Sequence, residues 1–118
     1  MAILIISGGQ TGADIAGLMA AKEVGFNTSG FAPNGYKTEL GSNLMLKSQY
    51  HLKETSSSGY TIRTRMNVEW ADINILFSDD FKSKGTLFTI SCCKKANKPY
   101  LLLSSFDNNA VQSILAFI

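Results

Sequence analysis

The sequence predicts a three-layer α/β sandwich on a mainly parallel sheet, and three observations carry that expectation. Continuous apolar runs recur at residues 2–7 (AILIIS), 73–77 (INILF) and 99–103 (PYLLL), the pattern of strands covered on both faces. Stretches with helical spacing separate these runs. The first run closes in a glycine-rich turn that feeds directly into a helical pattern, the unit from which parallel sheets are built.

The elements follow in order. After the strand at 2–7, Gly8, Gly9, Gln10, Thr11 and Gly12 make a tight turn. The helix behind it places Ile15, Leu18, Ala21 and Val24 on one face, with Gly25 as its stop. A short strand is expected at 26–29 and an ordered loop through 31–40, punctuated by Pro33, Asn34 and Gly35. Residues 50–53 read as another short strand. Ser56-Ser57-Ser58-Gly59 reads as a flexible connection inside one domain rather than a linker, since neither side could fold alone. From 61 to 70 the spacing is helical, with Ile62, Met66 and Trp70 on one face and Arg63 and Asn67 on another. The strand at 73–77 ends in Ser78-Asp79-Asp80, and residues 85–96 form the next helix. After the strand at 99–103, Asp107 or Asn108 caps a last amphipathic helix carrying Ala110, Val111, Ile114, Leu115 and Ile118.

Composition excludes several functions. The 118 residues carry 11 Lys and Arg against 9 Asp and Glu, a net charge of +2. That is one domain, 1–118, burying roughly two-thirds of its unfolded surface. The charges are spread, so neither a nucleic acid nor a membrane surface is an expected partner. No apolar run reaches the roughly 18 residues of a membrane span, and the opening run lacks a signal peptide's basic start. Adjacent Cys92 and Cys93 cannot make a disulfide framework, which points to a reducing cytoplasm.

In parallel α/β folds ligands bind at the carboxyl ends of strands, which selects residues 8–14, residues 78–86 and the loop after Leu103. Gly8, Gly9 and Gly12 let backbone N–H groups approach an anion at a helix start, where the dipole adds about half a positive charge; Gln10 and Thr11 add side-chain donors. The same glycines would equally serve only to make the turn and pack helix on strand. The motif is neither a dinucleotide fingerprint nor a P-loop, whose lysine is missing. Gly85 and Thr86, preceded by Lys84, offer a second anion nest, or Thr86 is simply a helix cap beside a solvated lysine. Two such sites suit a ligand with phosphates. Asp14, in the first helical turn, is stabilised by the dipole; in a functional role it would hold a ribose hydroxyl or a metal. Arg63 and Asn67 present a charged fork and an amide to a ligand, or form a solvated helix face. His51 has no ligand partner at metal spacing, Cys92 and Cys93 read as core, and so do Tyr60, Met66 and Trp70. No metal site and no catalytic triad emerge.

The stretches ISGGQTGAD (6–14), GFAPNGYKTELG (30–41), YHLKET (50–55), YTIRTRMNVEWADINILFS (60–78), KGTLFT (84–89) and KPYLLL (98–103) resemble the molybdenum cofactor carrier family of the SLOG superfamily, which includes the YpsA-like proteins. The matches fall in family order over nearly the whole chain, and GGQTGxD joined to a downstream RTxxNV is fairly specific. The resemblance implies a Rossmann-like domain that binds a phosphorylated, nucleotide-like ligand and, as often in the family, assembles as a homo-oligomer; no cofactor is expected to be required, and the expected ligand class extends to a molybdopterin-like molecule. Carried over by position, Gly8, Gly9, Gln10, Thr11 and Asp14 would line the pocket, Pro33, Asn34, Gly35, Arg63 and Asn67 would border it, and Gly85 and Thr86 would hold a phosphate; the residue reading of the same two turns adds Gly12, Ser78 and Lys84 to the expected ligand-binding set. The chain departs from the family at three points. Ile15 replaces a basic residue after Asp14, Lys84 replaces the first glycine of a GGT motif, and the sequence stops at Ile118 where relatives continue, so the pocket would be more open or be completed by another subunit.

A neighbouring branch that cleaves nucleoside monophosphates carries a glutamate where this chain has Thr89, a hydroxyl that cannot serve as a carboxylate acid or base. The expected function is therefore binding of an ADP-ribose-like, cyclic, dinucleotide or pterin-nucleotide ligand, as carrier, sensor or sequestering sponge. By superfamily analogy a sponge would act in viral counter-defence, in the host cytoplasm. The opposing expectation is a nucleotide or N-glycosidic-bond hydrolase using Asp14.

Overall fold

A computed structural model describes residues 3–104 and 107–118. Ala2, at the start of the first expected strand, and Ser105 and Phe106, in the loop after Leu103, lie outside the described residues. The chain divides into two compact units, residues 1–67 and 68–118.

In the first unit, β1 (Leu4–Ile6) runs parallel to β2 (Asn27–Ser29), with Ile5 opposite Thr28. α1 (Ala13–Glu23) connects them. Gly25, at φ 88°, ends α1 as expected: its N–H donates to Lys22 O at 3.2 Å and Phe26 N–H to Ala21 O at 2.9 Å, the paired bonds of a Schellman stop. A second parallel pair joins β3 (Phe31–Ala32) to β6 (Lys53–Glu54). Between them lie a 3-10 turn (Asn34–Tyr36), the antiparallel hairpin β4 (Lys37–Thr38) and β5 (Gly41–Ser42), and the short α2 (Met45–Ser48). The expected loop is thus largely built structure. Leu18, Ala32, Tyr36, Leu46, Tyr50 and Leu52 form the core of this unit, with Ile15 packed against it.

Two expectations are corrected here. The strand expected at 50–53 begins only at Lys53, because Thr28 and Ser29 donate their hydroxyls to the carbonyls of Tyr50 (2.9 Å) and His51 (3.0 Å), and His51 turns to φ 61°. The serine-rich stretch is an ordered turn rather than a flexible connection. Thr55 Oγ1 donates to Ser57 O at 3.0 Å, Asn34 N–H donates to the same carbonyl at 2.7 Å, and Gly59 N–H donates to Ser57 Oγ at 3.1 Å. α3 (Tyr60–Trp70) follows it.

In the second unit, β7 (Asn74–Phe77) and β8 (Tyr100–Leu103) pair in parallel over four residues. α4 (Lys84–Lys95) connects them and ends on Asn97 at φ 57°, with Lys98 N–H donating to Cys93 O at 2.9 Å, a second Schellman stop with asparagine in the glycine role. Asp107 caps α5 (Asn108–Phe117), accepting from Ala110 N–H at 3.0 Å. α5 buries Ala110 and leaves Val111 and Leu115 exposed, as is Ile118 just after it. The three apolar runs are half-buried rather than covered on both faces, since within its unit each pairs in a two-stranded ladder; Leu4 remains 43% exposed.

Val68, Cys92 and Cys93 are the buried centre of this unit, with Phe88, Ala96 and Tyr100 against them. Burial pushes the Cys93 thiol above its ordinary value, and the neighbouring Cys92 adds to the rise. Little thiolate therefore exists near neutral pH. Native protein is expected to react with a disulfide reagent at pH 8 far more slowly than protein unfolded in guanidinium, which should titrate both thiols at once; rapid native reaction would contradict this burial.

Candidate functional site

The glycine-rich turn gathers most of the residues expected of it. Gly9 (φ 76°) and Gly12 (φ 85°) adopt conformations open to glycine, and Gly12 caps α1 without a side-chain bond. The first-turn amides of Ala13 and Asp14 consequently have no intrahelical acceptor. A Cβ on Gly12 would meet nothing within 4 Å. Gly9, Thr11 and Ile15 face Thr38, Leu40 and Asn43 of the hairpin segment across an open groove of about 330 Å³.

Asp14 and Arg63 are held together behind this groove. Arg63 Nη1 lies 3.2 Å from Asp14 Oδ2, which also accepts Gln10 N–H at 3.2 Å. Ser7 Oγ donates to Asp14 O at 2.9 Å and closes the turn. The guanidinium packs directly over Gly8: a Cβ there would stand 2.8 Å from Arg63 Cζ. Gln10, 7% exposed, donates Nε2 to Lys37 O at 2.9 Å and ties the turn to the hairpin. Two buried atoms of this cluster, Gln10 Oε1 and Arg63 Nε, have no hydrogen-bond partner.

Asn67 serves the backbone. Its Oδ1 accepts from Phe31 N–H at 2.8 Å and its Nδ2 donates to Phe31 O at 3.0 Å, clamping β3. Pro33 is fully buried. Asn34 Nδ2 and Gly35 N–H both donate to Glu54 Oε1, at 3.0 and 3.1 Å. Sequence reasoning missed Glu54 in this role, and also Thr38 and Asn43 as groove walls. The YHLKET and GFAPNGYKTELG stretches contain Glu54 and Thr38 and were the available signal. Tyr60 and Trp70, expected in the core, are 38% and 40% exposed, because each sits at an end of α3.

In the second unit the cap of α4 is Ser83, not Thr86, and the helix starts one residue before Gly85. Ser83 Oγ accepts Thr86 N–H at 3.3 Å. The hydroxyls form a relay in which Ser83 donates to Thr86 at 2.9 Å, Thr86 to Ser78 at 3.0 Å, and Ser78 to Asp80 O at 2.9 Å. Lys84 and Gly85 stand exposed at the helix start, and a Cβ on Gly85 would meet nothing within 4 Å. Thr89 Oγ1 donates to Gly85 O at 3.0 Å. Among the described residues, no three His, Cys, Asp or Glu side chains gather as a metal site, and no helix is long and apolar enough to cross a membrane.

No curated protein matches the chain. It is similar to the crystal structure of a "putative molybdenum carrier protein" from Syntrophus aciditrophicus SB, with a TM-score of 0.79 and 33% identity over 87% of this chain. The match spans 63% of that protein's length. The fold is α/β and Rossmann-like, as the sequence predicts. The circularly permutated YpsA SLOG family matches residues 5–118, nearly the full chain, and this protein belongs to that family.

Proposed function

We propose that this chain binds a phosphorylated, nucleotide-derived small molecule at its glycine-rich turn, as a carrier, sensor or sequestering protein rather than a catalyst. One observation carries the reading: the uncapped start of α1 opens beside a groove of about 330 Å³ edged by Gly9 and Thr11. Backbone N–H groups at such a helix start receive an anion without a dedicated cation. Asp14 would repel a phosphate if free, but Arg63 lies against its carboxylate. The exposed start of α4, with Lys84 and Gly85, is a second anion-ready turn in the other unit.

The similar protein is named for carrying molybdenum, and within this class a pterin-nucleotide is the cargo that would bring the metal with it. The start of α1, which has no side-chain cap, suits the phosphate of such a cargo. Among the described residues no metal-ligating side chains gather, so a molybdenum cargo would be held there through its organic part. Asp14 is engaged by Arg63 and Gln10, which disfavours its use as an acid or base.

Thermal shift and calorimetry with ADP-ribose, a dinucleotide and a pterin phosphate test the reading. A true ligand at one hundred times its Kd should stabilise the protein by about 2.7 kcal/mol and return chemically intact after heat denaturation. Absence of any shift at millimolar ligand would overturn binding. Turnover that disappears in Asp14→Asn would replace this reading with hydrolysis.

A further inference from the structure

Tyr60 begins α3, is 38% exposed, and has two cations over its ring. Lys37 Nζ lies 6.0 Å from its ring centroid and Arg63 Cζ lies 5.8 Å from it. The Arg63 guanidinium is held at the turn by its pair with Asp14 over Gly8, while the Lys37 backbone is anchored there by Gln10, which donates to its carbonyl and leaves the ammonium free to move. An exposed aromatic ring, two cations and the glycine-rich turn thus lie close together in the first unit.

We propose that Tyr60 is the stacking surface for the aromatic ring of the ligand, so that the site selects phosphate esters carrying a base or pterin over plain sugar phosphates. The inference rests on the glycine turn being the phosphate site and names which phosphorylated molecules it takes. The physical case concerns exchange. Lys37 is exposed, and its 6.0 Å separation is at the outer limit of a cation–π contact, so it leaves the ring at little cost. An incoming phosphate attracts Lys37 and Arg63, while the flat ring of the ligand takes the tyrosine face. Aromatic stacking tolerates different bases, since each presents a π face to the ring.

The test is calorimetry with ADP-ribose and ribose 5-phosphate on the wild type, Tyr60→Phe and Tyr60→Ala. The wild type and Tyr60→Phe should bind ADP-ribose about tenfold more tightly than ribose 5-phosphate. Tyr60→Ala should bring ADP-ribose down to the ribose 5-phosphate level and leave ribose 5-phosphate unchanged, a split that general destabilisation would not produce. The proposal is overturned if Tyr60→Ala keeps the gap, or if the wild type binds both molecules alike; in the latter case the phosphate site itself stands. Failure of the wild type to bind these two molecules or any other ligand of the wider panel removes both readings; binding of the pterin phosphate alone moves the same Tyr60→Ala comparison to that ligand, and an unchanged affinity there overturns the stacking role.

Discussion

Replacing Gly30 by alanine is expected to cost about 3 kcal/mol or more and to melt the first unit well below the wild-type temperature. The added Cβ would stand 3.0 Å from both Ser7 C and Ser7 N and still closer to the Ser7 carbonyl oxygen, so the obstruction is backbone rather than a movable side chain. The φ of 142° is a region that side chains rarely adopt, which adds strain independent of space. Relief would have to come from separating Gly30 from Ser7. That movement would break the Ser7 N–H bond to Ser29 O (3.1 Å) and disturb Lys53 N–H on Gly30 O (2.9 Å). Both parallel pairs of the unit meet at this residue, so the loss should spread to β1–β2 and β3–β6 together. Thermal melts of Gly30→Ala against Gly17→Ala check it: Gly17 is helical with nothing within 4 Å of a Cβ, so its substitution should be neutral or stabilising. Equal melting temperatures would show that the contact at Gly30 is relieved cheaply.

The contrast between those two glycines shows what a sequence exposes and what it hides. Where a local pattern is several residues long, its outcome is visible. The Gly25 stop, the Asp107 cap and the parallel pairing of INILF with YLLL all follow from spacing and from chemistry near in the chain. The segment from 31 to 54 behaves otherwise. Its strands are two residues long, too short for a period of two to register, and the hairpin appears only in the fold. What fixes these pieces is side chain to backbone across distance: Asn67 to Phe31, Thr28 to Tyr50, Glu54 to Gly35, and Gln10 to Lys37. None of these bonds leaves a local periodicity. The same limit applied to the site. The glycine turn was legible because glycines mark it in one stretch, whereas the groove's second wall and the exposure of Tyr60 depended on how the hairpin and α3 were placed.

Arg63→Met is the substitution expected to affect binding most, lowering affinity for a phosphorylated ligand roughly 10- to 150-fold through loss of a charge-assisted contact. Methionine approximates the stem of arginine, so packing over Gly8 is largely kept while the charge is removed. Stability should fall only modestly, by about 1 kcal/mol, because the partner carboxylate is one-third exposed and water takes over much of the lost interaction. The loss of affinity has two separable origins. Arg63 neutralises Asp14, which otherwise sets a carboxylate beside the incoming phosphate, and its remaining N–H donors can reach the phosphate directly. Asp14→Asn isolates the first: it removes the repelling charge, leaves an oxygen for Gln10 N–H, and frees the guanidinium from its internal partner. That variant should bind the anionic ligand at least as tightly as the wild type. Combining it with Arg63→Met should recover part of the single variant's loss, and the unrecovered part measures the direct arginine–phosphate contact. Full recovery would reduce Arg63 to a counter-ion for Asp14, while unchanged binding in Arg63→Met alone would remove it from the site.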